Sequence, residues 1–436
     1  LSIRTAEKKL KTLLSLRIAL TNKNISEECL VYRFPNGIRL VYQQHPSRIT
    51  HCGFVLDVGS RDEEARQMGM AHFIEHLFFK GTGKRKSIHI LNRLEFVGGE
   101  LNAYTSKDKT CVYASVPAEY FSRSLELLTD IVFHSSFPEK EVEKEKKVIH
   151  EEIDMYLDSP EENILDLFQE RAFRNHALGF NILGTHETLA SFHRSHVMDF
   201  YKAWYSPERI AFVYNGNKSF RQVIRLCERY FGELPSGKSA VSRMPANGDI
   251  YKHFDQEIST SHVQTYLAMG GMAFPSGDPR RVHASLLMNM LGGPGLNSKL
   301  NLAIREKYGY AYDIEASYQA MRDIGTYQIY MGTDRKYLSR TQELIYRELK
   351  ALCAGPVSSL ALHRYKSQFK GQILMSEENR ISLALMSGKM ALDGRPIEPL
   401  ASLFAQIDKI SAENLVECAR ELFREENISR LVFLGQ

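Results

Sequence analysis

His72, Glu75 and His76 lie in the segment GMAHFIEHLFFKGT, Gly69 to Thr82. On a helix, His72 and His76 are i and i+4, so both imidazoles project from one face and can bind one metal ion. Glu75 is i+3 from His72 and shares that face, where it is placed to take a proton from water on the ion. The order is H-x-x-E-H, the reverse of the commoner H-E-x-x-H. Two ordinary histidines beside a solvated glutamate would give the same letters, so the reading needs a third ligand and an open position for water. Carboxylates are dense in EKEVEKEKKVIHEEIDMY, which starts at Glu139 and offers Glu139, Glu141, Glu143, Glu145, Glu151, Glu152 and Asp154. Spacing within that helix does not choose among them, and most belong to a solvated face.

The elements that must position these groups follow from periodicity. Alternating runs at Ile38 to Tyr42, Cys111 to Val116 and Ile210 to Tyr214 predict strands, whereas apolar residues three and four apart predict helices over Tyr120 to Phe133 and Pro138 to Tyr156. The stretch Gly232 to Gly248 is rich in Gly, Ser, Pro and Ala and reads as a connector between domains. On either side of it the chain echoes itself. EYFSRSLELL from Glu119 matches KYLSRTQELI from Lys336, a shift of 217 residues, and HCGFVLDVGS from His51 is similar to HVQTYLAMGG from His262. We therefore expect an α+β fold of two related domains, each a mostly antiparallel sheet packed with helices. The expected division is a leader over residues 1–25, a metal-binding domain over residues 26–233, a linker over residues 234–248 and a second domain over residues 249–436. Under the 217-residue shift His72, Glu75, His76 and Glu152 fall on Asn289, Gly292, Gly293 and Phe369, so only the first domain can hold this metal. His193 and His196, with His186 nearby, are the other histidine grouping, and their polar surroundings predict solvated side chains.

With these motifs the chain resembles the pitrilysin/insulinase zinc peptidases, which include the mitochondrial processing peptidases. The resemblance runs through nearly the whole chain. It implies one Zn2+ per chain, a third ligand at Glu152, 76 residues after His76, and a supporting carboxylate at Glu145. It also implies that GGELNAYTS, from Gly98, pairs with extended substrate through Asn102 and Ala103. In the second half, LGGPGLNSKLNLAIREKYGYAY from Leu291 is similar to the family's glycine-rich loop and following helix, with Pro294 as a departure. Arg305 and Tyr312 then match residues that reach the substrate carbonyl and stabilise the oxyanion. The expected function is endopeptidase cleavage of short or unfolded peptides, with Glu75 as general base. The competing expectation is an inactive core or scaffold subunit, since some relatives lose a ligand or the base. Related single chains of about twice this length enclose substrate between two such halves, so a homodimer is expected, with a heterodimer of related chains as the alternative.

Composition narrows the partners. A net charge of +4 over 436 residues, with no basic stripe interleaved with aromatics, argues against nucleic acid. No apolar run is long enough to span a membrane. Arg17 interrupts the apolar patch Leu13 to Leu20, which disfavours a secretory signal. Six scattered cysteines without close pairing predict reduced thiols and a cytoplasmic setting.

Overall fold

The computed structural model describes residues 29–232, 234–237, 239 and 241–436, and the expected leader falls outside them. Strands β1 (Cys29–Arg33), β2 (Arg39–Gln44), β3 (Ile49–Leu56), β4 (Glu100–Thr105), β5 (Thr110–Pro117) and β6 (Ile210–Gly216) form one sheet in the order β1-β2-β6-β3-β5-β4. Strands β7 (Asp255–Ser259), β8 (Thr265–Ala273), β9 (Ala311–Ala320), β10 (Gly325–Thr333) and β11 (Ser429–Leu434) form a second in the order β7-β11-β8-β10-β9. Without β1 the two orders coincide. Each has a single parallel pair at the same place, β2 with β6 and β7 with β11, and antiparallel pairing elsewhere. The chain is thus two α+β units of one design. The two echoed segments occupy equivalent places: helices Phe121–Phe133 and Leu338–Ala354 follow β5 and β10, each through a single 3-10 turn.

Local pattern explains the elements that matter for the site. In β5, Cys111, Val112, Ala114 and Val116 are buried, as alternation on a covered sheet requires. The helix Glu139–Asp158 buries Val142, Glu145, Lys146, Ile149 and Ile153, one stripe at helical spacing, and its other positions carry the charge. The helix Met70–Leu77 is buried on nearly every side, with Phe73 against Phe192 and Phe78, just past its end, against Tyr205.

The halves clasp one another. The first-half helix Pro160–Ala172 packs on β8 and β11, and the second-half helix Arg380–Leu392 packs on β2, β3 and β6. Apolar clusters seal both contacts: Ile164 and Phe168 with Phe254 and Tyr330, and Val55 and Val213 with Ala384 and Leu385. Lys109 adds a buried polar tie, with its ammonium 3.1 Å from Asp57, 3.0 Å from Asp108 and 2.9 Å from Asp393 of the second half. The connector is anchored: Arg243 bonds Asp57 at 2.9 Å and Asp62 at 2.7 Å. No helix among the described residues is long and apolar enough to cross a membrane. All six cysteines are unpaired.

Candidate metal centre

The helix Met70–Leu77 starts at Gly69, whose φ of 94° lies in the left-handed region. A Cβ there would stand 2.6 Å from the carbonyl oxygen of Leu183, so glycine is required on both counts. The turn aims His72 and His76 at Glu152 on the helix Glu139–Asp158. His72 Nε2 is 3.8 Å from Glu152 Oε1, and His76 Nε2 is 3.6 Å from Glu152 Oε2. The three ligand atoms lie within 4.8 Å of one another. Bonds of 2.0–2.1 Å in a tetrahedron set ligand atoms roughly 3.3 Å apart, so the three side chains must draw closer together to hold an ion.

His76 sits between two carboxylates. Its Nδ1 is 2.9 Å from Glu145 Oε1, which leaves Nε2 to face Glu152, and Glu145 Oε2 accepts from Lys80 at 2.8 Å. A carboxylate on the far nitrogen fixes the tautomer and orientation of a ligating imidazole. His72 lacks this support, since its buried Nδ1 has no hydrogen-bond partner among the described residues. Burial, and then the neighbouring His76, push the His72 pKa down to about 3, so the ring is neutral and able to ligate. Burial acts the other way to the result at His76, where the bond to Glu145 and the nearby Glu152 and Glu75 raise the pKa overall. Burial also raises the pKa of Glu152. At Glu145 burial is outweighed by the bonds from His76 and Lys80, which lower it.

Glu75 is buried beside the group, and its Oε2 accepts a 2.6 Å hydrogen bond from Thr105 Oγ1. Burial raises its pKa against the pull of that bond, which makes it a stronger base than a solvated glutamate. Thr105 ends β4, the outermost strand of its sheet among the described residues, where β4 pairs only with β5. Ala103 and Thr105, two apart on one face, line a cavity of about 410 Å³ with His72, Glu75, His76 and Glu152. Asn102 does not line that cavity, and its side chain turns back to accept from the Ala103 amide at 2.8 Å.

Arg305 and Tyr312 stand apart from this group within the chain. They line a different cavity, of about 360 Å³, with Gly292, Gly293 and Pro294. The Arg305 guanidinium lies over the Tyr312 ring at 4.8 Å, and Tyr312 is 80% exposed. Arg305 is carried by a π-helical turn, Asn301–Glu306. His193 and His196 are neighbours at 5.6 Å, but His186 stacks instead on His150 and bonds Asp154. The other close ligand group among the described residues, Glu139, Glu143 and His193, is exposed.

Residues 39–186 match the family described as Insulinase (Peptidase family M16), and residues 191–369 match the Peptidase M16 inactive domain. An uncharacterized zinc protease of Bacillus subtilis, YmxG, is 34% identical over 92% of this chain and 97% of its own length. The chain belongs to the M16 peptidase family. A second M16 relative, an uncharacterized zinc protease of Rickettsia felis, is 30% identical over 94% of this chain and 98% of its own. The M16 fold is shared with a solved protease from Helicobacter pylori, at TM-score 0.87 and 20% identity over 94% of this chain and 99% of that one. A Pseudomonas fluorescens structure titled as the peptidase M16 inactive domain gives TM-score 0.86 at 16% identity over 94% and 98%.

Several residues around this group had no sequence signal strong enough to single them out. Thr105 lay inside the quoted GGELNAYTS, and its alternation with Ala103 was the available clue. Lys80, one turn after His76, could have been paired with an acidic helix by charge alone. Glu63, whose carboxylate accepts from the Gly69 and Ala71 amides at 2.9 and 2.8 Å, caps the metal-site helix from outside any motif.

Proposed function

We propose that the chain is a zinc-dependent endopeptidase, with His72, His76 and Glu152 as the metal ligands and Glu75 as general base. One observation carries this reading: two imidazoles and a carboxylate converge at ion-binding separation, with a buried, Thr105-bonded carboxylate on the same helix face. The neutral His72, the occupied Nδ1 of His76 and the carboxylate of Glu152 fit the His₂Glu set of catalytic zinc. A bound zinc ion would polarise water and the scissile carbonyl. Glu75 accepts the proton of the attacking water and hands it to the leaving amine. Glu145 holds His76 in its ligating orientation, and Lys80 holds Glu145.

Substrate binds in extended form by adding a strand to the β4 edge at Asn102 and Ala103. Asn102 must then release the Ala103 amide that it caps. The division into a metal domain over residues 26–233, a linker over residues 234–248 and a second domain over residues 249–436 is part of the same proposal, as is a cytoplasmic setting for the free thiols. Because Arg305 and Tyr312 line their own cavity, they serve the reaction across an interface between two copies, from one protomer to the zinc of its partner. A fully active monomer in sedimentation at assay concentration would rule that out.

The purified chain should hold one zinc and cleave an unstructured peptide of about 15 residues, long enough to span such a groove. It should act slowly on a stable folded protein that contains the same segment. Zinc bound without any hydrolysis would favour a scaffold subunit, and equal rates on both substrates would sink strand addition.

A further inference from the structure

Arg61, Asp62 and Glu63 are consecutive and buried, yet their side chains leave in three directions. Glu63 accepts from the Gly69 and Ala71 amides at the start of the metal-site helix. Asp62 takes Nε and Nη2 of Arg243, in the connector, at 2.8 and 2.7 Å. Arg61 forms a two-pronged bond to Asp323 of the second half, at 2.8 and 2.9 Å. The backbone adds a fourth attachment, since the Arg61 amide donates to the Lys107 carbonyl at 2.8 Å and the Ser60 amide to that of Ser106. Those carbonyls belong to the hairpin turn after β4, the strand that ends in Thr105. Gly59 permits the approach, because a Cβ there would stand 2.3 Å from the Ser106 oxygen.

The physical consequences differ by direction. The first amides of a helix have no partner within it, and Gly69 has no side chain with which to cap them. Glu63 therefore sets where the helix bearing His72, Glu75 and His76 begins. The Arg61 side chain is 0% exposed, so its charge depends on Asp323 for compensation. If the Met321 to Ile324 turn that carries Asp323 moved away, Arg61 would have to follow it or leave a charge buried and unpaired.

We propose that the Gly59 to Glu63 turn is a positioning element that makes the register of the metal-site helix depend on the seating of the second half. The inference rests on the metal reading above. Arg61 senses the second half through Asp323, Glu63 transmits the turn's position to the helix, and the backbone bonds carry the same position to the β4–β5 hairpin. None of these side chains lines the cavity at the His72, His76 and Glu152 group.

The test is the rate at which the full, zinc-loaded chain gives its zinc to a chromophoric chelator. Asp323→Asn and Glu63→Gln should each speed release by about tenfold, in the range of outer-sphere substitutions. The double variant should release no faster than Glu63→Gln alone, because both act through one turn. Asn427→Ala is the control: Asn427 bonds Met272 and Leu422 within the second half, so its loss should lower the melting temperature without changing zinc release. Wild-type release from Asp323→Asn, multiplying effects in the double variant, or equal acceleration by Asn427→Ala would overturn the coupling. If Glu63→Gln fails to fold, the comparison of Asp323→Asn with Asn427→Ala decides. A wild-type chain that holds no zinc would defeat the metal assignment itself, whereas zinc held with release indifferent to Asp323 defeats the coupling alone.

Discussion

The helix that follows β3 and the helix that follows β8 occupy the same place in two sheets of the same order, yet only the first carries histidines of a His-His-Glu group that could hold a metal. In the first half, His72 and His76 reach across to Glu152 and Glu145 on the helix Glu139–Asp158. In the second, Asn289 on the helix Arg281–Gly292 reaches across to Gln372 on the helix Ser359–Ser376, in a 2.8 Å amide–amide bond. The following position is closed by packing. A Cβ on Gly292 would stand 2.7 Å from Ala316, on β9, so a side chain matching Glu75 has no room. One scaffold thus supports a crossing made by charged groups and a crossing made by a neutral amide pair. The difference lies in side chains, on the crossing helices and on the strand beside them, and not in topology.

The largest expected effect tests the chemistry on the charged side. Glu75→Gln should retain zinc and lose roughly 10²–10⁴ in peptide turnover, the worth of a general base. His72→Asn, which copies Asn289, should lose both zinc and activity, while Asn289→His should gain no zinc. Near-wild-type turnover of the Glu75 variant would remove it from the mechanism.

The reciprocal helices extend the comparison to packing. Phe168 and Leu385 are each 3% exposed at the two contacts between halves. Phe168→Ala should cost about 3–5 kcal/mol and Leu385→Ala about 2–5 kcal/mol in urea unfolding, since each leaves a cavity against the opposite sheet. A change near zero at either position would mean that the clasp is one-sided.

A smaller effect is expected from Glu145→Gln, which keeps all three proposed ligands but loosens the orientation of His76. Zinc affinity should fall about 10- to 100-fold in competition with a chelator. Glu152→Gln should weaken binding further, and the reverse ranking would exchange the roles of the two carboxylates.

A further effect is a pH dependence of the metal-free protein. The His72 pKa falls from 6.5 to about 3 through burial and the adjacent His76. Between those values the unfolded chain takes up a proton at this ring that the folded chain refuses. The stabilising contribution is therefore complete above pH 6.5 and drains away as pH falls towards 3, no faster than about 1.4 kcal/mol per pH unit for one proton. His76, raised by Glu145, works oppositely, with a contribution present below 6.5 and lost as pH rises through its folded value. Unfolding midpoints of the wild type and His72→Asn at pH 6.5 and 4.5 isolate the His72 share. Parallel slopes would show that His72 is not the source.

Much of this was legible in the sequence because it depends on short-range periodicity. An i, i+3, i+4 grouping needs only a helix to share a face, and GMAHFIEHL is a helix over Met70–Leu77. The echo at Glu119 and Lys336 marked two helices that do follow equivalent strands, and the α+β duplication followed from it. The run from Glu139 was legible as a helix, but seven carboxylates on it were equivalent by spacing.

Spacing did not choose among those carboxylates and only the resemblance pointed to Glu152 and Glu145; the crossing of two helices brings both to His76 and leaves Glu139 and Glu143 exposed. The tertiary structure alone also decided that β4 is an edge strand, that Thr105 bonds Glu75, and that Arg305 and Tyr312 line a separate cavity. The sequence determined which groups were chemically able to act, because residue type and helical phase are local properties. Burial, strand order and contacts between residues as distant as Arg61 and Asp323 arise only when the chain closes on itself, since water is excluded and charges are paired by the packing of both halves together.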